Sequence, residues 1–147
     1  MNLSFSTRGW NMTWPELLDA AGEMHFSGIE LYDVFRSPEM IDKGGPLHKY
    51  AVVSTVRELR EKHLEIPCLD TPYDLSAADD AVIDRICRLM NLASDLRTPY
   101  VAVTAKEDDL PRITAVLEQL IPTAEEKNVT ILIKTSGIFA DTALLRD

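Results

Sequence analysis

Five short apolar runs, each leading into a stretch with helical spacing, constrain this chain more than any other feature. The runs are Leu3–Ser6, Gly28–Val34, Glu65–Thr71, Tyr100–Ala105 and Val129–Thr135. They are continuous rather than alternating, which suits parallel strands covered on both faces. Between them stand helix signals. In Thr13-Trp14-Pro15-Glu16 a threonine cap and a glutamate three residues on form a capping box. Leu17, Ala21 and Met24 then share one face, and Gly28 lies past the end. Val53, Val56, Leu59 and His63 mark a second helix. A third is capped by Ser76, with Asp79 three later and a stripe of Val82, Ile86, Leu89, Ala93 and Leu96. The fourth opens at Asp109, carries Pro111 in its first turn, and faces Ile113, Val116, Leu117, Leu120 and Ala124 inward. Pro122 falls inside that pattern and should kink it. A fifth helix is expected from about Ala140.

Strand and helix alternation of this kind means an α/β fold with a parallel sheet and right-handed crossovers. The whole chain, 1–147, reads as a single domain. Two architectures fit. One is an open, flavodoxin-like sheet of strand order 2-1-3-4-5. The other is a partial (β/α)8 TIM barrel with parallel strands in sequential order. A complete barrel takes about 250 residues, so these 147 hold about four and a half βα units.

Composition narrows the function. With 24 acidic and 15 basic residues the formal charge is −9, and such a surface repels a phosphate backbone, so no nucleic-acid partner is expected. No run of about eighteen apolar residues suggests a membrane span, and the start, MNLSFSTRGW, does not read as a signal peptide. A cytoplasmic protein with no membrane partner is the expectation. Cys68 and Cys87 lack metal-ligand spacing and read as reduced thiols. There is no dinucleotide or phosphate-loop glycine motif; the Gly44-Gly45 pair has nothing downstream to complete one.

The order and spacing of LSFSTRGW, FSGIELYD, RTPYVAV and AEEKNVTILIKTSGIFADTALLRD carry a resemblance. Together they resemble the sugar phosphate isomerase/epimerase-like proteins of the xylose isomerase-like TIM barrel superfamily, over its N-terminal half. The resemblance implies metal-assisted isomerisation or epimerisation of a sugar or polyol. It also implies a divalent metal (Mn, Mg or Zn), held by a glutamate ending the fifth strand and by further ligands from strands six to eight. Such a fifth strand commonly ends in E-T-x-G; this one ends in Lys134-Thr135-Ser136-Gly137. An ammonium group has no lone pair for a cation and repels it. The chain is therefore expected to bind no metal at that position and, alone, to be inactive.

The candidate residues follow from strand ends, where a barrel keeps its chemistry. Lys134 has two readings: a fixed positive charge replacing the metal beside a substrate oxyanion, or the remnant of a degenerate site reaching solvent. Glu30 is a candidate to hold a sugar hydroxyl, or else a carboxylate satisfied by backbone or Arg36. Asp70 and Thr71 belong to a pocket rim or to a turn forced by Pro72, and Thr104 and Lys106 end the fourth run. Trp10 could line a sugar-binding wall or pack internally. His25, His48 and His63 fall away from strand ends and read as structural. A small-molecule sugar or sugar phosphate is the expected ligand. Uncovered sheet edges make a homodimer the expected assembly. The competing reading is a non-catalytic half-barrel acting as an oligomeric binding or scaffold module.

Overall fold

The computed structural model describes residues 2–134. The Thr135–Gly137 turn and the helix expected from about Ala140 lie outside them. Five parallel strands follow in sequential order: β1 (Ser4–Ser6), β2 (Gly28–Tyr32), β3 (Cys68–Asp74), β4 (Tyr100–Thr104) and β5 (Thr130–Ile133). This is the barrel order and not the flavodoxin-like one. The crossovers carry α1 (Trp14–Glu23), α2 (Pro38–Ile41), α3 (Val52–Glu61), α4 (Asp80–Leu96) and α5 (Leu110–Lys127).

The capping box at α1 forms as its sequence dictates. Glu16 Oε2 accepts from Thr13 N at 2.8 Å and Thr13 Oγ1 accepts from Glu16 N at 3.4 Å, an arrangement that contributes about 1 kcal/mol. The cap of α4 is Asp79, not Ser76: Asp79 Oδ1 accepts from Val82 N at 2.9 Å. Ser76 sits in a preceding 3-10 turn, Leu75–Ala77, because Asp74 draws both its N–H and its hydroxyl. Of the expected α3 stripe, Leu59 is buried and Val56 packs against the core, while Val53 is 71% exposed and Val52 and Thr55 are buried instead. Met24 ends α1 exposed. The α5 helix runs on through Pro122, which removes one backbone donor without ending it. Four helices are followed by a left-handed residue that is not glycine: His25, His63, Arg97 and Asn128, with φ between 53° and 59°.

Two boundaries differ from the sequence expectation. The β2 strand stops at Tyr32, because Asp33 turns left-handed (φ 51°) into a 3-10 turn over Val34–Arg36. The β3 strand continues beyond Pro72 to Asp74. Proline has no N–H for the ladder, and the register with β4 shifts between Asp70 and Asp74. Gly28 opens β2 where β1 and β2 approach closely; a Cβ there would collide with the Ser4 side chain.

Right-handed crossovers between sequential strands put every helix on the same side of the sheet. Ile29, Leu31, Leu69, Val101 and Val103 face that side and are at most 1% exposed. They meet Leu17 and Ala21 of α1, Leu59 of α3, Ile86, Leu89, Met90 and Ala93 of α4, and Ile113 and Leu120 of α5 in one core. The strands are thus covered on one face. Among the described residues no helix or strand covers the other, where Tyr100 and Leu132 are 41% and 40% exposed.

One side chain joins two loops at the C-terminal end of the sheet. Asp74 Oδ1 accepts from Ser76 N (3.0 Å), Ser76 Oγ (2.6 Å) and, from the loop after β4, Lys106 N (3.1 Å). Partial burial pushes its carboxyl up, but these donors outweigh that and hold it below its ordinary 3.8. A depressed carboxyl stabilises the fold above its ordinary pKa, and the contribution disappears as pH falls through the lowered value. Asp74→Ala is expected to cost about 1–2 kcal/mol at neutral pH. In thermal melts the gap to the wild-type chain should narrow below about pH 4.

Candidate functional site

Strand alternation and register assign the open face. Ser6 pairs with Glu30, Tyr32 with Asp70, Asp70 with Ala102, and Ala102 with Leu132. These residues, with Cys68 two before Asp70 and Lys134 two beyond Leu132, share the side of the sheet opposite the helices. The large buried apolar side chains of the strands go to the helix side, and the open side carries the charged ones, Glu30, Asp70 and Lys134.

Lys134 is the centre of the group. Its backbone N–H donates to Val103 O at 2.9 Å, which extends the β5 ladder by one bond. Its side chain reaches across β4 to β3. There Nζ donates to Asp70 Oδ1 at 2.8 Å and to Thr71 O at 2.7 Å. The same Asp70 oxygen accepts from Thr71 N at 2.8 Å, fixing the carboxylate. Lys134 Nζ also lies 5.9 Å from the centre of the Tyr32 ring, and Arg8 Cζ is 5.1 Å from that ring. Cation–π attraction of this kind favours both positions.

Arg8 is held in place by its turn. Trp10 N donates to Thr7 O at 3.0 Å, and Gly9 adopts φ 78° between them, which a residue with a Cβ adopts only under strain. Thr7 N donates to Glu30 O at 2.9 Å, and Tyr32 N donates to Thr7 Oγ1 at 2.9 Å, so the turn is tied to β2.

Glu30 shares this environment. Burial raises its carboxyl above the ordinary 4.5, the Asp70 charge raises it further, and Lys134 opposes both. Cys68, free and buried below them, is pushed up to about 12, first by burial and then by the Glu30 and Asp70 charges. Its thiol stays protonated and is no nucleophile at neutral pH. Cys87 is also free.

The structure therefore brings Glu30, Asp70 and Lys134 together and places the other candidates around or away from them. Thr104 ends β4 buried, two residues beyond Ala102. Thr71 turns to the helix side, where its hydroxyl donates to Ala102 O at 2.8 Å. Lys106 contributes its backbone N–H to Asp74. Trp10 stacks on Phe5 at 5.2 Å and shares a cleft of about 50 Å³ with Thr7 and Tyr32. Arg36 pairs with Asp33 at 3.5 Å rather than with Glu30. His25 and His63 follow helix ends, and His48 Nδ1 accepts from Tyr50 N. Tyr32, Arg8 and Cys68 went unremarked as site residues in the sequence. Stepping by two along a strand from Glu30 gives Tyr32, and from Asp70 gives Cys68. A larger cavity of about 620 Å³ opens at the opposite end, among Ser27, His63, Glu65, Arg97 and Pro99. In a βα barrel that end serves stability rather than chemistry.

A divalent metal does not fit this donor set. Among the described residues there is no group of three His, Cys, Asp or Glu side chains that could hold one. Asp70 Oδ1 already accepts from an ammonium and an amide, and the cationic Lys134 stands against it.

A raised carboxyl costs stability above its folded pKa, and the cost is gone below its unfolded one. Glu30→Gln is accordingly expected to be more stable than the wild-type chain at pH 7. Denaturant titrations should show that advantage closing as the pH falls to the ordinary 4.5.

No protein-family model matches the sequence, and no curated protein does. Solved structures do. The probable 3-DHS dehydratase AsbF of Bacillus anthracis, involved in petrobactin synthesis, superposes with a TM-score of 0.74 at 19% identity, over 95% of this chain and 54% of its own. The IolI protein, solved with a bound zinc atom, gives 0.70 at 18% identity, over 90% and 51%. A xylose isomerase domain-containing protein of Salmonella typhimurium gives 0.68 at 10% identity, over 88% and 47%. The chain thus spans about half the length of each of these three structures. In strand order, helix placement and extent it has the fold of about half of a (β/α)8 barrel.

Proposed function

We propose that this chain forms part of a cytoplasmic isomerase- or epimerase-type protein. It would handle a sugar, sugar phosphate or related polyol on the open sheet face. The observation that carries this reading is the interaction of Glu30 in β2, Asp70 in β3 and Lys134 just past β5 on the open face, with Lys134 at the C-terminal rim where barrels of this architecture keep their active sites. A partly buried carboxyl with a raised pKa beside a fixed ammonium can take up a proton and hold the oxygen from which charge develops. Those are the two requirements for moving a proton next to a carbonyl. Further βα units, from a longer parent or a partner chain, would enclose the substrate, and the chain alone turns nothing over.

Calorimetric titration with Mn²⁺, Mg²⁺ or Zn²⁺ should show weak binding or none. Lys134→Glu should give at most a small gain in metal affinity and no isomerase activity, because one added carboxylate is too few for such a site. Tight stoichiometric binding to the wild-type chain, lost on mutating Glu30 or Asp70, would count against the reading.

A second reading, an oligomeric binding or scaffold module, is favoured by the exposed Tyr100 and Leu132 on the open face. Among the described residues β1 and β5 are also each paired on one side only. In this reading two copies cover each other as a two-fold dimer, with an interface above about 2,000 Å². Light scattering should find a dimer at micromolar concentration; a stable, well-folded monomer would sink it.

A further inference from the structure

We propose that the Lys134 ammonium is the resident cation of this site. It sits between the Asp70 carboxylate and the Thr71 carbonyl in place of a divalent ion, and it lets the site bind an uncharged polyhydroxy ligand without metal. The ligand class rests on the function proposed above; the assignment of the cation does not.

Carboxylate and carbonyl oxygens are the donors that hard cations choose. Here they converge on nitrogen at 2.8 and 2.7 Å, ordinary lengths for charge-assisted hydrogen bonds. The lysine does not reach them by chance of local sequence. It starts one residue past β5 and ends on β3, with β4 between them, so the contact spans three strands. The nitrogen is also positioned from the side, by the face of Tyr32. An ammonium has three donors, of which, among the described residues, Asp70 and Thr71 accept from two. The third would donate to a ligand hydroxyl or carbonyl oxygen, with Glu30 the neighbouring acceptor. The charges facing Lys134 are Asp70 from β3 and Glu30 from β2, with Arg8 beyond Tyr32. Asp70 is offset by the lysine itself, so an additional divalent ion would enter against a charge already in place.

The test uses the whole chain and amide NMR shifts at Tyr32, Asp70 and Thr71. Lys134→Ala empties the position; Lys134→Met removes the charge but keeps the apolar stem, and so guards against a variant that fails to fold. Ethylammonium chloride, MgCl2 and ZnCl2 are titrated into the wild-type chain and Lys134→Ala, with sodium chloride as the ionic-strength control. The alanine variant should gain at least about tenfold in affinity for ethylammonium at these amides, about 1.4 kcal/mol. The wild-type chain should show no saturable response to any of the cations. Xylitol, added with EDTA present, should shift the same amides in the wild-type chain and bind at least about tenfold more weakly to Lys134→Met. Equal ethylammonium responses in wild type and Lys134→Ala, saturable metal binding at Asp70 in the wild type, or xylitol binding that needs added metal would each overturn the proposal. If ethylammonium behaves as expected and xylitol does not bind, the cation assignment stands and the polyol reading falls.

Discussion

The handedness of the crossovers is the constraint on which the rest of this structure depends. Parallel neighbours cannot be joined by a tight hairpin; each connection must climb back over the sheet, and it does so right-handed. With strands in sequential order, every connection lands on the same side. That single fact separates the chain's two chemistries. The helix side takes Ile29, Leu31, Leu69, Val101 and Val103 and becomes the core. The other side is freed from the demand for apolar residues, and Glu30, Tyr32, Asp70 and Lys134 stand there.

Charge then organises the open face. Two carboxylates on adjacent strands repel, and burial makes each costlier, so a counter-charge is needed within reach. Lys134 supplies it from two strands away. Its contact with Asp70 is partly buried, and Thr71 fixes both partners, one through its amide and one through its carbonyl. The group is polar and satisfied, yet Glu30 remains raised and close to solvent. A residue held in a protonation balance that costs stability is what catalytic and binding sites tend to contain. The turn carrying Arg8 and the loops joined by Asp74 frame the same end of the sheet, so the rim is tied together by hydrogen bonds rather than by core packing.

Similarity to solved barrels at 10–19% identity speaks to the fold alone. The site must be argued from its own atoms, and on that ground it departs from a metal centre. The zinc-containing IolI structure shows that this architecture can carry a metal. Here the fifth-strand position holds a lysine that is bonded inward rather than waving in solvent.

Much of the fold was legible because it rests on local rules. The apolar runs located all five strands, the box at Thr13 and Glu16 started α1, and the alternation of elements dictated a parallel sheet. The errors fell where distant groups compete for a local signal. Ser76 looked like a helix cap until Asp74 claimed its N–H and hydroxyl, and at the start of α3 the core takes Val52 where spacing pointed to Val53. Lys134 was legible as a strand end, whereas Glu30 and Asp70 stand inside β2 and β3, because β2 runs two residues past Glu30 and β3 runs on past Pro72. The meeting of the three was not legible, since it depends on register across the strands between β2 and β5. The sequence by itself determined which segments become strands and helices and which side chains carry charge. Only the tertiary structure decided that the described helices all pack on one sheet face and that Lys134 closes on Asp70 and Thr71, because crossover hand and strand register are properties of segments brought together and not of any one segment.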